Sequence, residues 1–265
     1  MNTDISLITV CTNEKELLKK CLRSIYRNKT SYAFEVIVVD NASTDGTNDY
    51  IKKTYPNIRL IIQKKRRGFA KNNNYALKKA KGDYILLLNP DTELHINTLE
   101  ALTSFMKITP DAGICGPKLL FPDGTLQYSC RRFPTWKSVL ARRTPFRNIL
   151  QHTFLNKTHI LYEKSHNKLC TVDWILGACF MIRKNVIHDI GILDPQYYLY
   201  VDDIDYCLRA WQNGWKVYYV PTVTVVHHHK AESDKNFISS ASYQHFKSMI
   251  YFISKHGLPP FGTYQ

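Results

Sequence analysis

The 265-residue sequence predicts an α/β protein: a Rossmann-like, mixed sheet flanked by helices, followed by a C-terminal amphipathic helix. Three observations predict it. Short β-rich apolar runs alternate with amphipathic stretches up to residue 88, the strand–helix–strand rhythm of a doubly wound sheet. The run 34–39, Phe-Glu-Val-Ile-Val-Val, reads as a strand buried on both faces, as parallel strands are. Polar, acidic turns follow two of the predicted strands, at 40–47 and 89–91, and ligands of such sheets sit at the carboxyl ends of the strands.

Taken in order, residues 5–10 form a first apolar strand, and 13–26 a helix with Leu17, Leu18, Cys21, Leu22 and Ile25 at helical spacing. The strand 34–39 runs into the turn at Asp40, where Asp45-Gly46-Thr47 reads as an ordinary cap for a helix at 48–55. A strand at 58–62, a helix at 68–81 and a strand at 84–88 follow, the last ending in Asn89-Pro90-Asp91. Residues 94–109 read as a helix stopped by Pro110, 113–120 as a strand and Asp123-Gly124 as a hairpin turn. Residues 172–183 read as a turn and a buried strand, with Gly177 and Ala178 small enough for a ligand to approach the backbone. Strands at 215–220 and 223–226 flank a turn at Pro221, and 237–256 is the final helix, packed on the body or lying on a membrane.

Composition bounds the function. The chain is 44% hydrophobic and 22% charged, and no run approaches the ~20 apolar residues of a membrane span. The N-terminus lacks a basic region and an apolar signal core, so no secretion is indicated. Seven dispersed cysteines read as reduced thiols in a cytoplasm rather than a disulfide framework. The net charge of +14 is concentrated at 131–168, where Arg131, Arg132, Lys137, Arg142, Arg143, Arg147, Lys157, Lys164 and Lys168 face Glu163 alone. That segment is read as a loop or interfacial helix. Nucleic acid, an anionic membrane face or a phosphorylated substrate would each suit its charge. No helix-turn-helix, zinc or RNA-binding signature accompanies it, so no nucleic-acid partner is expected. Gly-x-Gly-x-x-Gly and Gly-Lys-Ser/Thr loops are also missing, which leaves a nucleotide diphosphate in need of a metal, with Asp91 a natural oxygen ligand.

The chemistry centres on 197–206, where Asp202, Asp203 and Asp205 fall within four residues among aromatics. A helix starts at Asp202, apolar at Ile204, Leu208 and Trp211. Carboxylates there often only cap the helix and suit its dipole. A carboxylate crowded by aromatics is also partly desolvated, the setting of a general base. Asp40 and Asp91, both at strand ends, are expected to converge on one crevice. Of His227, His228 and His229, adjacent ones point in opposite directions, so not all three can bind one ion.

Several stretches together resemble the family 2 glycosyltransferases of GT-A fold, in the rhamnosyltransferase-like branch that builds cell-surface polysaccharides. They are 38–47 (Val-Val-Asp-Asn-Ala-Ser-Thr-Asp-Gly-Thr), 68–74 (Gly-Phe-Ala-Lys-Asn-Asn-Asn), 86–91 (Leu-Leu-Leu-Asn-Pro-Asp), 177–183, 198–215 and 225–227. Each alone is weak; in this order, across residues 5–256, they are specific. The resemblance implies residues 1–92 as the nucleotide-sugar-binding half, 93–235 as the acceptor-binding and catalytic half of the same domain, and 236–265 as helix and tail. It implies Asp40 as acceptor for a pyrimidine N–H beside Val10 and Thr12, with Arg67 and Asn73 near the phosphates and sugar. Asn89-Pro90-Asp91 would be the Asp-x-Asp equivalent, Asp91 and His227 would hold a divalent cation (Mg2+ or Mn2+), and Asp203 would be the base. Trp174, Gly177 and Asp202 would meet the acceptor, Asp202 standing where Glu is usual.

The implied reaction is inverting transfer of a sugar, rhamnose among the candidates. The donor is a UDP- or dTDP-sugar, and the acceptor a hydroxyl of a glycan or polyprenyl-diphosphate-linked precursor. The basic segment and last helix would then face an anionic membrane, placing a cytoplasmic protein peripherally on its inner face. The competing readings are a sugar-nucleotide nucleotidyltransferase, which would need a Gly-rich basic loop after the first strand, and a non-catalytic nucleotide-sugar-binding protein.

Overall fold

The computed structural model describes residues 3–134, 161, 166–228 and 240–257. Its frame is one sheet in which β1 (Ile5–Cys11), β2 (Phe34–Asp40), β3 (Arg59–Ile62) and β4 (Tyr84–Leu88) run parallel in the order β3-β2-β1-β4. All five residues of β4 are buried, as a strand covered on both faces requires. The helices α1 (Lys15–Tyr26), α2 (Thr47–Thr54) and α3 (Phe69–Leu77) make the crossovers. Beyond β4 the sheet turns mixed. β11 (Cys179–Arg183) pairs antiparallel with β4, then come β6 (Ala112–Leu120), β12 (Lys216–His227) and β5 (Thr92–Leu94).

Two apolar clusters sandwich this sheet. One gathers Leu18, Leu22, Ile25, Leu99, Leu102 and Met106 from α1 and α4 (Thr98–Ile108). The other gathers Tyr197, Ile204, Leu208 and Phe252 against the opposite face, from α6 (Asp202–Gln212), the loop before it and α7 (Ser240–His256). Burying each such side chain fully contributes about 1.5–3 kcal/mol, and α7 is anchored through Met249 and Phe252.

Several predicted elements are corrected. The helix expected at 94–109 starts only at Thr98, because Thr92–Leu94 pair with His227, Val226 and Val225 of β12. The helix expected at 68–81 ends at Leu77, where the chain turns to bind β1 and β2: Lys81 N donates to Glu35 Oε1 at 2.7 Å and Gly82 N to Ser6 Oγ at 2.9 Å. Pro221 does not separate two strands. It lies within β12, whose pairing with β6 shifts register between Val220 and Thr224, so the irregularity accommodates a residue without an N–H.

Among the described residues, β5, α5 (Lys184–Ile190) and the two-residue strands β8 (Cys130–Arg131) and β9 (Cys170–Thr171) had no sequence forecast, and β7 (Leu126–Gln127) and β10 (Trp174–Ile175) are likewise two residues long. The hairpin at Asp123-Gly124 is as expected, joining β6 to β7 with Gly124 at φ 82°. Lys137, Arg142, Arg143, Arg147, Lys157 and Lys164 of the basic segment, His229, and the start of the last helix at 237–239 lie outside the described residues.

Candidate active site

The polar groups singled out by sequence gather at one end of the sheet. Asp40 ends β2 and is fully buried. Its Oδ2 accepts from Ser43 N (3.1 Å) and Asn48 Nδ2 (3.2 Å), and its Oδ1 lies 3.9 Å from Cys11 Sγ. The carboxylate therefore also holds the 40–48 turn. Asp45, expected as a simple cap, ties two helices: Oδ1 accepts from Thr47 N (3.2 Å) and Oδ2 from Lys15 N (2.9 Å).

Thr12 and Arg67 are brought together by Asn41, which sequence reading passed over as turn residue. Its Nδ2 donates to Thr12 Oγ1 (3.0 Å) and Arg67 O (3.1 Å), while Arg67 N donates to its Oδ1 (2.7 Å). Val10 is half-buried in β1 beside them. The Arg67 guanidinium lies over the Tyr75 ring at 5.4 Å, and Asn73, buried, donates from Nδ2 to Phe69 O (3.1 Å).

Asn89 and Asp91 leave β4 on a short loop fixed at both sides: Asn89 N donates to Ala178 O (2.8 Å), and His228 N to Asp91 O (2.8 Å). The β5–β12 pairing sets His227 opposite Thr92, which brings its Nε2 to 3.3 Å from Asp91 Oδ1. Gln127 of β7 orients that ring, with its Oε1 2.9 Å from Nδ1. The ring is thus held with Nδ1 toward the amide and Nε2 toward the Asp91 carboxylate. Nitrogen and oxygen ligands aimed at one gap fit a divalent cation whose remaining ligands come from a diphosphate. Among the described residues no group of three His, Cys, Asp or Glu side chains could hold a metal alone. No sequence signal marks Gln127, because its role depends on where a two-residue strand pairs.

The acidic pair opens α6. Sequence expected a carboxylate cap; instead Val201 occupies the N-cap with φ 70° and makes no side-chain cap bond. Asp202 and Asp203 thus lie inside the first turn. Asp203 is half-buried; its Oδ2 accepts from Gly177 N (3.0 Å) and its Oδ1 from Ile204 N (2.9 Å). Burial raises its carboxyl above the ordinary range, against the pull of those two N–H groups and the nearby Arg131 charge. Asp202 is buried, and desolvation followed by the like charge of Asp203 pushes it well above its usual value. Asp205 behaves oppositely: despite burial, His256, Arg209 and Lys255 hold it well below the usual range. Trp174 is buried, with its indole N–H donated to Arg132 O (2.8 Å) and Arg131 over its ring at 5.6 Å.

Gly177 binds Asp203 and the adjacent Ala178 binds Asn89, so one turn links the acidic pair to the Asp91–His227 corner. Gly68 brings the loop before α3 against the segment before α6: an added Cβ would lie 2.6 Å from Tyr198 O, while Phe69 N donates to that oxygen at 2.8 Å. A parallel sheet extended by antiparallel strands, with acids at and just past its carboxyl ends, has the architecture of a GT-A glycosyltransferase. The chain belongs to glycosyl transferase family 2, whose model matches residues 6–191.

Relatives agree. The chain is 28% identical over 243 residues to the N-acetylglucosaminyl-diphospho-decaprenol L-rhamnosyltransferase of Mycobacterium tuberculosis, covering 86% of this chain and 77% of that protein. It is 27% identical over 263 residues to rhamnosyltransferase WbbL of Escherichia coli, covering 95% and 93%. GalNAc-T7, solved with UDP, GalNAc and Mn2+, superposes with a TM-score of 0.71 at 18% identity, over 95% of this chain and 48% of that one. Mannosyltransferase PcManGT from Pyrobaculum calidifontis, with GDP-Man and Mn2+, gives 0.62 at 21% identity, over 98% and 67%.

Proposed function

We propose that this glycosyltransferase inverts the anomeric centre of a UDP- or dTDP-sugar, rhamnose foremost, while moving the sugar to a hydroxyl of a polyprenyl-diphosphate-linked glycan or polysaccharide precursor. The observation that carries this is the 177–178 turn, which ties Asp203 on one side and Asn89 on the other. Asp203 acts as the base: the acceptor oxygen bonds to the sugar's anomeric carbon as its proton passes to an Asp203 carboxylate oxygen. The bond from that carbon to the diphosphate oxygen breaks, and the nucleoside diphosphate leaves with the electron pair. The raised affinity of Asp203 for a proton suits the task, and Gly177 N–H orients the group that receives it.

Asp91 and His227 would hold the divalent cation, which supplies neutralisation of the departing diphosphate. Asp40, with Val10 and Thr12, takes the pyrimidine; Arg67 and Asn73 lie toward phosphates and sugar, and Trp174, Gly177 and Asp202 toward the acceptor. Residues 1–92 and 93–235 serve as donor and acceptor halves. The family assignment does not favour the nucleotidyltransferase alternative.

A lipid-linked acceptor implies a membrane surface. Supporting this, α7 docks through Met249 and Phe252 yet turns Tyr243, Phe246 and Ile250 outward with Lys247, and its sequence holds no acidic residue. Such a face on a strongly basic protein suits peripheral binding to anionic lipid. Among the described residues no helix is long and apolar enough to cross a membrane.

The test is a nucleotide-release assay over UDP- and dTDP-sugars, with a polyprenyl-diphosphate-linked acceptor and with Mn2+, Mg2+ or chelator. Release that needs acceptor and cation, and stops in Asp91→Ala, is the expected result. Equal release with chelator would overturn the metal assignment, and a purine-sugar preference would overturn the role of Asp40.

A further inference from the structure

The loop 194–201 delivers α6 to the site in a conformation that its own residues disfavour. Tyr200 (φ 64°) and Val201 (φ 70°) are both left-handed, one of them β-branched. Such backbone persists only where the surroundings over-determine it. Along the loop, Phe69 N donates to Tyr198 O (2.8 Å), Ser248 Oγ to Leu199 O (2.9 Å), and Asp205 N to Val201 O (2.9 Å). The base of the loop is closed differently. The Lys255 ammonium, from the last turn of α7, lies 2.7 Å from Asp194 Oδ2 and 2.8 Å from Asp205 Oδ1.

The surroundings make this bridge a built feature. Asp205 is fully buried, and the Lys255 side chain is 27% exposed. The Tyr197 and Tyr251 rings lie 5.8 and 5.9 Å from Lys255 Nζ and meet each other edge-on at 5.1 Å. Their hydroxyls repeat the bridge, Tyr197 Oη donating to Asp205 Oδ1 (3.2 Å) and Tyr251 Oη to Asp194 Oδ2 (2.9 Å). The other side chains on Asp205 bind it differently. Arg209 sits one turn on along the same helix (2.8 Å), and His256 reaches Oδ1 (2.7 Å). Lys255 spans both ends of the loop. Burial alone would lower its ammonium, and its hydrogen bonds to Asp194 and Asp205 instead raise it, so the bridge is charged throughout the working pH range.

We propose that Lys255 is a positioning residue: by bridging Asp194 and Asp205 it closes the 194–205 loop at its base and sets the direction in which Asp203 meets the acceptor hydroxyl. The proposal rests on the reading of Asp203 as general base. A last-turn lysine would ordinarily be read as a partner of the helix dipole. Here it fixes the start of a different helix, and the C-terminal helix becomes part of the machinery that aims the base.

The experiment compares Lys255→Met, which keeps the stem and removes the charge, with Lys255→Arg, which restores it. Turnover, donor Kd, acceptor KM and the pH–rate profile are measured on the full chain. Lys255→Met is expected to lower kcat about 10- to 100-fold, the scale of a misplacement near 1 Å, with donor Kd unchanged. Asp203, shifted off Gly177 N–H, loses a bond to its charged form, so the acid limb of the profile moves to higher pH. Lys255→Arg recovers most of the rate. Asp194→Asn breaks the same bridge from its other end and gives the same pattern more weakly, which covers poor folding of Lys255→Met.

Wild-type kcat and an unmoved acid limb per folded molecule in both Lys255→Met and Asp194→Asn, whatever the melting temperature, overturn the positioning role. Asp203→Asn run alongside separates the two failures. An inactive Asp203→Asn beside fully active Lys255→Met and Asp194→Asn removes the positioning role alone. An active Asp203→Asn removes the base assignment and the positioning role with it.

Discussion

Asp205 and the pair Asp202–Asp203 enter the same turn of the same helix under opposite electrostatics. Asp205 is wholly buried but surrounded by Arg209, Lys255, His256 and the Tyr197 hydroxyl, and its proton affinity falls. Asp202 and Asp203 are desolvated beside each other, compensated by backbone N–H groups and the Arg131 charge, and their proton affinities rise. Two or three residues along the helix thus separate a structural anion from a pair poised to take a proton. The helix dipole reaches all three and cannot explain the contrast. The His256 and Lys255 side chains of α7 and Arg209 one turn on can, because all three reach Asp205.

The largest effect expected from breaking this contrast is on stability at Asp205. Asp205→Asn leaves the charges of Lys255 and Arg209 gathered around a neutral group, and losing one member of a buried ionic cluster costs about 3–5 kcal/mol. Urea unfolding at neutral pH measures it; a loss below about 1 kcal/mol would mean that the cluster is far less desolvated than its burial implies. The pH dependence has a definite sign. Carboxyls lowered in the fold, as Asp194 and Asp205 are, contribute stability that is present above the unfolded value near 4 and lost as pH falls through the folded one. Hydrogen exchange of the α7 amides should therefore stay slow down to about pH 4 and accelerate below it.

Asp202→Asn should do the reverse, on a smaller scale. A carboxyl whose folded value is raised destabilises as pH climbs from the unfolded value toward the folded one, so wild type carries the penalty at neutral pH. Asn removes it, and the variant should gain about 1 kcal/mol at pH 7.5 and nothing at pH 4. No gain at pH 7.5 would show that Asp202 is better compensated than its neighbours allow. The smallest stability effect is expected for Gly177→Ala, whose Cβ would meet Asp203 Cβ at 3.4 Å, an ordinary contact. Melting should stay within about 0.5 kcal/mol of wild type while turnover drops, because the added methyl touches the group that receives the proton. A stability loss with full turnover would place Gly177 in the fold rather than in the site.

Much of this was legible in the residues, and what was not has a common cause. The strands β1, β2 and β4 carry apolar runs whose identity is local, Asp40 and His227 end strands, and Asp91 lies in the turn just past β4, where the sequence pattern expects a site. The strands β8 to β10 are two residues long and exist only through distant partners, and Gln127 of β7 gave no signal because the ring it orients, His227, lies 100 residues on. The cap of α6 was misread because a left-handed valine is imposed by tertiary contacts and is improbable on its own. The link from Lys255 to Asp194 and Asp205 spans 61 and 50 residues, beyond any periodicity. Asn41 was hidden within a turn whose polarity already had an explanation.

The central claim is that Asp203, rather than Asp202 or Asp205, receives the acceptor's proton. Turnover at saturating donor and acceptor, measured beside donor Kd for Asp203→Asn and Asp202→Asn, tests it most directly. Asp203→Asn should lose about 10²–10⁴ in kcat with donor Kd unchanged, the usual contribution of a general base, while Asp202→Asn loses much less. Near-wild-type turnover in Asp203→Asn, with Asp202→Asn inactive, would contradict the account and move the base one residue back along the helix.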